Sequence, residues 1–205
     1  MNSVSAYEFA ITEVDRPYDL VVVNQGDDVG HAYLGELEDY PIMYEVDVDE
    51  PITFNAQVRQ RHSQAVDPIP FSLIVIRQND NGGGVTEVVR LNPSKDDWTT
   101  IKDSVFGMTF WESEKLSAEV EPGTYRIEIS TPENQGRYML MIGDSDQSSG
   151  YFETLGNVRT TQKFFGLSFL KMLTSSYVYY PIGIFLVLFL IHRTWKYRNS
   201  IAHVE

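Results

Sequence analysis

Ile42-Met43-Tyr44-Glu45-Val46-Asp47-Val48 and Ile52-Thr53-Phe54-Asn55-Ala56-Gln57-Val58 decide the fold class. Ile42, Tyr44, Val46 and Val48 alternate with Met43, Glu45, Asp47 and Asp49, and Ile52, Phe54, Ala56 and Val58 alternate with Thr53, Asn55, Gln57 and Arg59. A period of two puts every apolar side chain on one face of an extended chain, whereas a helix needs a period near 3.6. Both stretches therefore read as half-buried strands.

The same pattern continues outward. Phe71–Arg77 and Val85–Leu91 are two further strands, joined by Gln78-Asn79-Asp80-Asn81-Gly82-Gly83-Gly84, a composition suited to a hairpin loop. Val105–Phe110, Leu116–Val120, Thr124–Ser130 and Arg137–Ile142 follow, separated in part by Glu121-Pro122-Gly123 and by 131–136, where Pro and Gly favour turns. Tyr7–Val14 and Tyr18–Val23 precede the opening pair. Short strands without an intervening helical pattern imply an all-β fold, an antiparallel β-sandwich of jelly-roll type over residues 1–143. Asp144–Gly150 is polar and opens a linker and membrane approach over 144–163, with an interfacial helix over 164–171.

Beyond the sandwich, Met172–Ile191 carries no charged residue and has Lys171 before it and His192-Arg193 after it. As a helix rising about 1.5 Å per residue it would measure roughly 30 Å, the thickness of a bilayer's hydrocarbon core. The reading is a single transmembrane helix over 172–192 followed by a short basic tail, 193–205. Tyr177, Tyr179 and Tyr180 lie at one end and Trp195 and Tyr197 at the other, where aromatic rings favour the headgroup region. Pro181 lacks an N–H and predicts a kink or a break.

Charge divides unevenly. Residues 1–150 hold 27 acids and 10 bases, and residues 151–205 hold 2 acids and 6 bases, for a formal net charge of −13. So acidic a domain would repel phosphates, which argues against a nucleic-acid partner. The chain has no cysteine, hence no disulfide, thiolate site or thiol nucleophile. Arg193, Lys196 and Arg198 lie closer to the span than Arg159, Lys163 and Lys171 are spread before it, which favours a cytoplasmic C-terminus. Met1-Asn2-Ser3 opens without an apolar segment, so an exported domain would need a signal removed upstream of this numbering, the inverse being a tail-anchored protein.

The run Val120-Glu121-Pro122-Gly123-Thr124-Tyr125-Arg126-Ile127-Glu128-Ile129-Ser130, followed by Gly136–Ile142, resembles the closing hairpin of bacterial pre-peptidase C-terminal domains. Asp39-Tyr40 through Val48 and Ile52–Val58 are similar to that family's early paired strands, so the resemblance spans Gly35 to Gly143. It implies a secreted or surface-exposed jelly-roll-like module of the kind appended to hydrolases, with relatives that bind protein or polysaccharide, some with calcium. It also favours an extracytoplasmic domain. Here no catalytic domain accompanies the module and an apolar span follows it, leaving a module displayed on a membrane.

Candidate sites are few. Gly143-Asp144-Ser145-Asp146 superficially matches a lipase-like serine block, but the histidines after it, His192 and His203, lie at or beyond the span's far edge, so no proton acceptor is in place. Four scattered histidines without a His-Glu-x-x-His pattern give no zinc set. Asp27, Asp28, Glu36, Glu38 and Asp39 fall in and beside a loop, and hard oxygens from loops are what calcium takes. Calcium is the one metal carried forward, and no cofactor is expected. Trp98, in a loop-like stretch after Lys95-Asp96-Asp97, is a candidate for stacking on a sugar. Gly166, Ser168, Ser175, Ser176 and Gly183 are small enough to let another membrane helix approach closely, with Tyr177, Tyr180 and Trp195 anchoring the helix in the bilayer. These readings lead to a non-enzymatic single-pass protein with an extracytoplasmic sandwich, an accessory or assembly subunit of a membrane protein complex. The alternative is a free-standing surface module for polysaccharide or protein, with or without calcium.

Overall fold

The structure, a computed structural model, describes residues 8–12, 14, 16–17, 19–23, 30–79, 84–143 and 150–201. The chain divides into two units, Met1–Lys102 with Thr109–Gly150, and Asp103–Met108 with Tyr151–Glu205. In chain order the strands are β1 (Glu8–Ile11), β2 (Leu20–Val23), β3 (His31–Glu38), β4 (Ile42–Val48), β5 (Ile52–Arg61), β6 (Ser72–Gln78), β7 (Val85–Leu91), β8 (Thr99–Asp103), β9 (Met108–Glu112), β10 (Leu116–Val120), β11 (Gly123–Ser130) and β12 (Gln135–Ile142). They are followed by α1 (Tyr151–Phe164), a 3-10 helix (Phe169–Thr174) and α2 (Ser176–Ile201).

Two sheets form the first unit. One runs β1-β3-β12-β5-β9-β8, with β10 also on β5, and the other runs β2-β4-β11-β6-β7. Their facing residues make a single apolar interior that includes Tyr44, Val46, Phe54, Val58, Phe71, Ile127, Tyr138 and Leu140. The sheets are mixed rather than wholly antiparallel: β1 lies parallel to β3 and β2 parallel to β4. The chain visits the two sheets alternately through its first four strands, so each parallel neighbour is reached through a strand of the opposite sheet and needs no crossover helix.

The alternating stretch forms β4 and β5 as expected, with β4 buried at every second residue. Two strands escape the sequence pattern. β3 pairs with β12 so that Ala32 meets Met141 and Leu34 meets Met139, on the face opposite the interior, and all four are buried. A strand covered on both faces does not alternate. β8 fails for the opposite reason: it is an edge strand, Thr-Thr-Ile-Lys-Asp, with no buried residue. The strand expected at Val105–Phe110 begins instead at Met108, because residues 104–107 form a turn.

β5 is bordered on one side by two strands in succession, β10 along Ile52–Ala56 and β9 along Arg59–Arg61. At the gap between them the buried Ser113 hydroxyl accepts the Val58 N–H at 3.1 Å and donates to Glu114 O at 2.9 Å, replacing the missing ladder bond.

Inside the core, the Tyr44 and Tyr138 hydroxyls meet at 2.8 Å from opposite sheets, and Tyr44 also meets Thr12 Oγ1 at 3.0 Å. Gly35, the register partner of Tyr138, makes room for that ring: a Cβ on Gly35 would sit 2.5 Å from Tyr138 Cζ. Gly35→Ala forces the ring aside and is expected to lower stability by about 1–3 kcal/mol, measured by denaturant unfolding.

Burial is the main cause that pushes both phenols up from 10.0, since the charged form would lose its hydration, and Tyr44 raises Tyr138 further. Below about pH 10 the folded and unfolded chains both keep these protons, and the pair's contribution is fully present. Above it the unfolded phenols ionise while the folded ones do not, so stability falls as pH rises. The melting temperature is expected to drop above about pH 10, and less steeply in Y44F/Y138F, as a thermal scan across that range would show.

The helical region also differs from the sequence reading. Residues 151–164, read as linker and membrane approach, form α1, and the interfacial helix expected over 164–171 is replaced by the 3-10 helix at Phe169–Thr174. α2 starts at Ser176, later than the expected 172, and holds Pro181 inside it. Ser176–Tyr197 is long and apolar enough to cross a membrane, and none of its apolar window is buried within the chain.

Candidate membrane-proximal site

The second unit is built around a turn, Asp103-Ser104-Val105-Phe106-Gly107, between β8 and β9. Asp103 starts it, its Oδ1 accepting the N–H groups of Val105 at 2.9 Å and Phe106 at 3.1 Å, a local preference of aspartate. With the donors turned onto Asp103, the carbonyls face the other way, and four in succession accept a bond, three from the segment that leads into α2 and one from α1. Ser104 O takes the Ser176 N–H at 2.8 Å, Val105 O the Ser175 hydroxyl, Phe106 O the Gln162 Nε2 at 2.7 Å, and Gly107 O the Thr174 hydroxyl at 2.9 Å. At roughly 0.5–1.5 kcal/mol per bond, these four contribute several kcal/mol to the unit. The approach is close enough to require glycine: Gly107 has φ +60°, and a Cβ there would lie 2.6 Å from Thr174 C and 2.7 Å from Ser175 N.

Around this turn, Gln162 is fully buried and its Nε2 also reaches Lys171 O at 3.3 Å. Its Oε1 and the Thr161 hydroxyl have no partner among the described residues. α1 ends in a Schellman motif, with Gly166 N bonded to Lys163 O at 2.9 Å and Leu167 N to Gln162 O at 2.8 Å. Arg159 lies with its Cζ 5.4 Å from the Phe169 ring centre.

Pro181 leaves a specific vacancy in α2. It has no N–H to give to the carbonyl four residues earlier, that of Tyr177. The Tyr151 hydroxyl donates to that carbonyl at 2.7 Å, and the two tyrosine rings stack with centres 5.7 Å apart. A neighbouring helix thus supplies what the proline removes, the condition under which a proline is tolerated in an apolar helix. Tyr151→Phe leaves the carbonyl bare and is expected to cost about 1–3 kcal/mol locally, seen as faster amide exchange in the first turns of α2 with the strands unchanged.

The small residues of the sequence reading separate into two groups. Gly166 takes φ +72°, the left-handed conformation of a helix C-terminus, so its size serves the cap. Ser168 is the N-cap residue of the 3-10 helix, and Ser175 is buried against Val105 O and accepts the Val178 and Tyr179 N–H groups that open α2. Ser176 gives its backbone N–H to the turn. Ser175 is thus closed to another helix, while Gly166 and Ser168 stay exposed. Gly183 remains open: a Cβ there would meet nothing within 4 Å. With Tyr179, Tyr180, Ile184, Val187 and Leu188 it lines an apolar groove of about 430 Å³ on α2. Tyr180 and Trp195 are exposed at opposite ends of the apolar window, and Tyr177 is half-buried beside Tyr151.

Two other groups of candidates fare differently. Trp98 is 6% exposed and belongs to the sandwich interior, so its ring faces are not offered to a sugar; burial of the indole among apolar side chains overrides the polar sequence around it. Glu36 is paired with Arg137 at 2.9 Å, and Asp39 accepts a bond from Gln135 Nε2 at 3.2 Å. Asp27 and Asp28 lie outside the described residues. Among the described residues no three His, Cys, Asp or Glu side chains are grouped to hold a metal ion. Sequence reasoning missed Asp103, Gly107, Gln162 and Tyr151. The Asp103-Ser104 and Gly107 pattern was a turn signal, hidden by the apolar Val105-Phe106 between them.

No family model and no curated protein matches the chain. Among solved structures it is similar to the pre-peptidase C-terminal domain of a collagenase from Bacillus anthracis, with a TM-score of 0.40 and 11% identity over 64% of this chain and 99% of that one. It is also similar to the Yersinia pseudotuberculosis-derived mitogen, with a TM-score of 0.38 and 13% identity over 58% and 89%. A third is PliG from Aeromonas hydrophila, a periplasmic inhibitor of g-type lysozyme, with a TM-score of 0.34 and 14% identity over 66% and 98%.

Proposed function

We propose that this chain is a non-enzymatic, membrane-anchored accessory subunit that packs laterally against another membrane protein through α2. The groove at Gly183 carries the reading. It is mostly apolar, it lies on a helix whose apolar window is unburied, and among the described residues a Cβ on its glycine would meet nothing. In lipid, close helix approach over a small residue is what drives association, since lipid tails are as apolar as leucine. Gly183 with Val187 four residues on and Tyr179 four residues before forms one stripe along the helix. The sandwich, extracytoplasmic in this reading, would then act on the partner or on what the partner meets.

The test is extraction of the native protein in mild detergent, with mass spectrometry of what co-purifies in stoichiometric amount. The wild type and Gly183→Ala are expected to retain one membrane protein, and Gly183→Leu, which fills the groove, to lose it. A partner retained equally by Gly183→Leu would place the contact elsewhere. A chain that emerges alone would favour the free-standing surface module instead.

A further inference from the structure

We propose that the segment between α1 and α2 is a lipid-headgroup site selective for anionic phospholipid, resting on the reading of α2 as a membrane span. Phe152, Phe169, Leu170 and Leu173 are exposed at 84%, 68%, 73% and 55%, large apolar side chains turned away from the interior of their own unit. The 3-10 helix that carries three of them ends one residue before the N-cap of α2, so this rim is continuous with the helix that crosses the bilayer. Apolar side chains at the end of a span enter the boundary between headgroups and acyl chains.

Charge names the lipid. From Thr154 to Val204 the sequence contains no Asp or Glu, while Arg159 and Lys163 lie on α1 and Lys171 on the 3-10 helix that carries three of the apolar side chains. None of the three bases has a carboxylate partner among the described residues, in contrast to Arg59, Arg90, Lys95, Arg126 and Arg137 of the sandwich, which all do. The Arg159 guanidinium lies 5.4 Å from the centre of the Phe169 ring, and one of its five N–H donors reaches Leu167 O at 3.5 Å. Phe169 in the interface thus carries the guanidinium to headgroup level, where a phosphate takes charge-assisted bonds. Each base near a membrane surface favours an anionic lipid by about fivefold.

The experiment uses the full chain in mild detergent, titrated with phosphatidylglycerol or phosphatidylcholine, with bound lipid read by native mass spectrometry. Phosphatidylglycerol is expected to bind at least about tenfold more tightly than phosphatidylcholine, and R159Q/K163Q/K171Q to weaken it by roughly 100-fold. Lys163→Gln alters an exposed side chain that makes no bond among the described residues, so its expected loss of about fivefold reads the charge rather than the fold. R193Q/K196Q, which removes bases at the other end of α2, leaves Arg159, Lys163 and Lys171 in place and is expected to keep the preference for phosphatidylglycerol over phosphatidylcholine. Equal binding of the two lipids overturns the proposal, as does undiminished binding by K163Q or by the triple variant. Extraction of native membranes with alkaline carbonate separates this from failure of the anchor itself: a chain that washes off does not span the bilayer, whatever its lipid preference.

Discussion

A polar group removed from water must find a partner, and this requirement shapes both units of the chain. In the sandwich it acts through hydroxyls. Tyr44 and Tyr138 bring two large rings into the interior, and Tyr138 meets the Tyr44 hydroxyl, which also meets Thr12. Their meeting sets the relation of β4 to β12 across the core, draws Thr12 in behind Tyr44, and excludes any side chain at position 35. The apolar surface supplies most of the driving force for collapse, but many arrangements of Val, Ile and Leu would bury it equally well. The hydroxyl chain selects one of them.

In the second unit the same requirement falls on the backbone. A turn whose donors are occupied by Asp103 presents four carbonyls, and each is met: by a main-chain N–H, two hydroxyls and an amide. Helix α2 inherits a bare carbonyl from Pro181, and Tyr151 meets it from another helix. Ser175 and Thr174 are small and polar because they must reach carbonyls in a tight space, and Gly166 is a glycine because the chain reverses there with positive φ. Gly183, by contrast, meets no such demand among the described residues.

Much of the sandwich could be read from the chain directly. β4, β5, β6, β10 and β11 lie within a residue or three of their expected positions, because each has one face in the interior and one outside, and period-two patterning records that difference. Where that difference vanishes, so does the signal. β3 is buried on both faces, β8 on neither, and both were passed over. The candidate site was less legible. Trp98 and the small residues were placed by local composition, and composition does not tell a residue exposed on a loop from one folded under it.

Sequence alone determined the class of each part: alternation makes strands, and a long uncharged run makes a helix fit for a membrane, both consequences of which side chains leave water. It also determined the contrast in charge between an acidic sandwich and a basic C-terminal segment, since charge is additive along the chain. Tertiary structure decided which strands became parallel neighbours, which glycine kept its space and which serine lost it, and where the carbonyl bared by Pro181 finds its donor. Those outcomes depend on groups far apart in sequence arriving at bonding distance, as Tyr44 and Tyr138 do across 94 residues. No local pattern carries that distance.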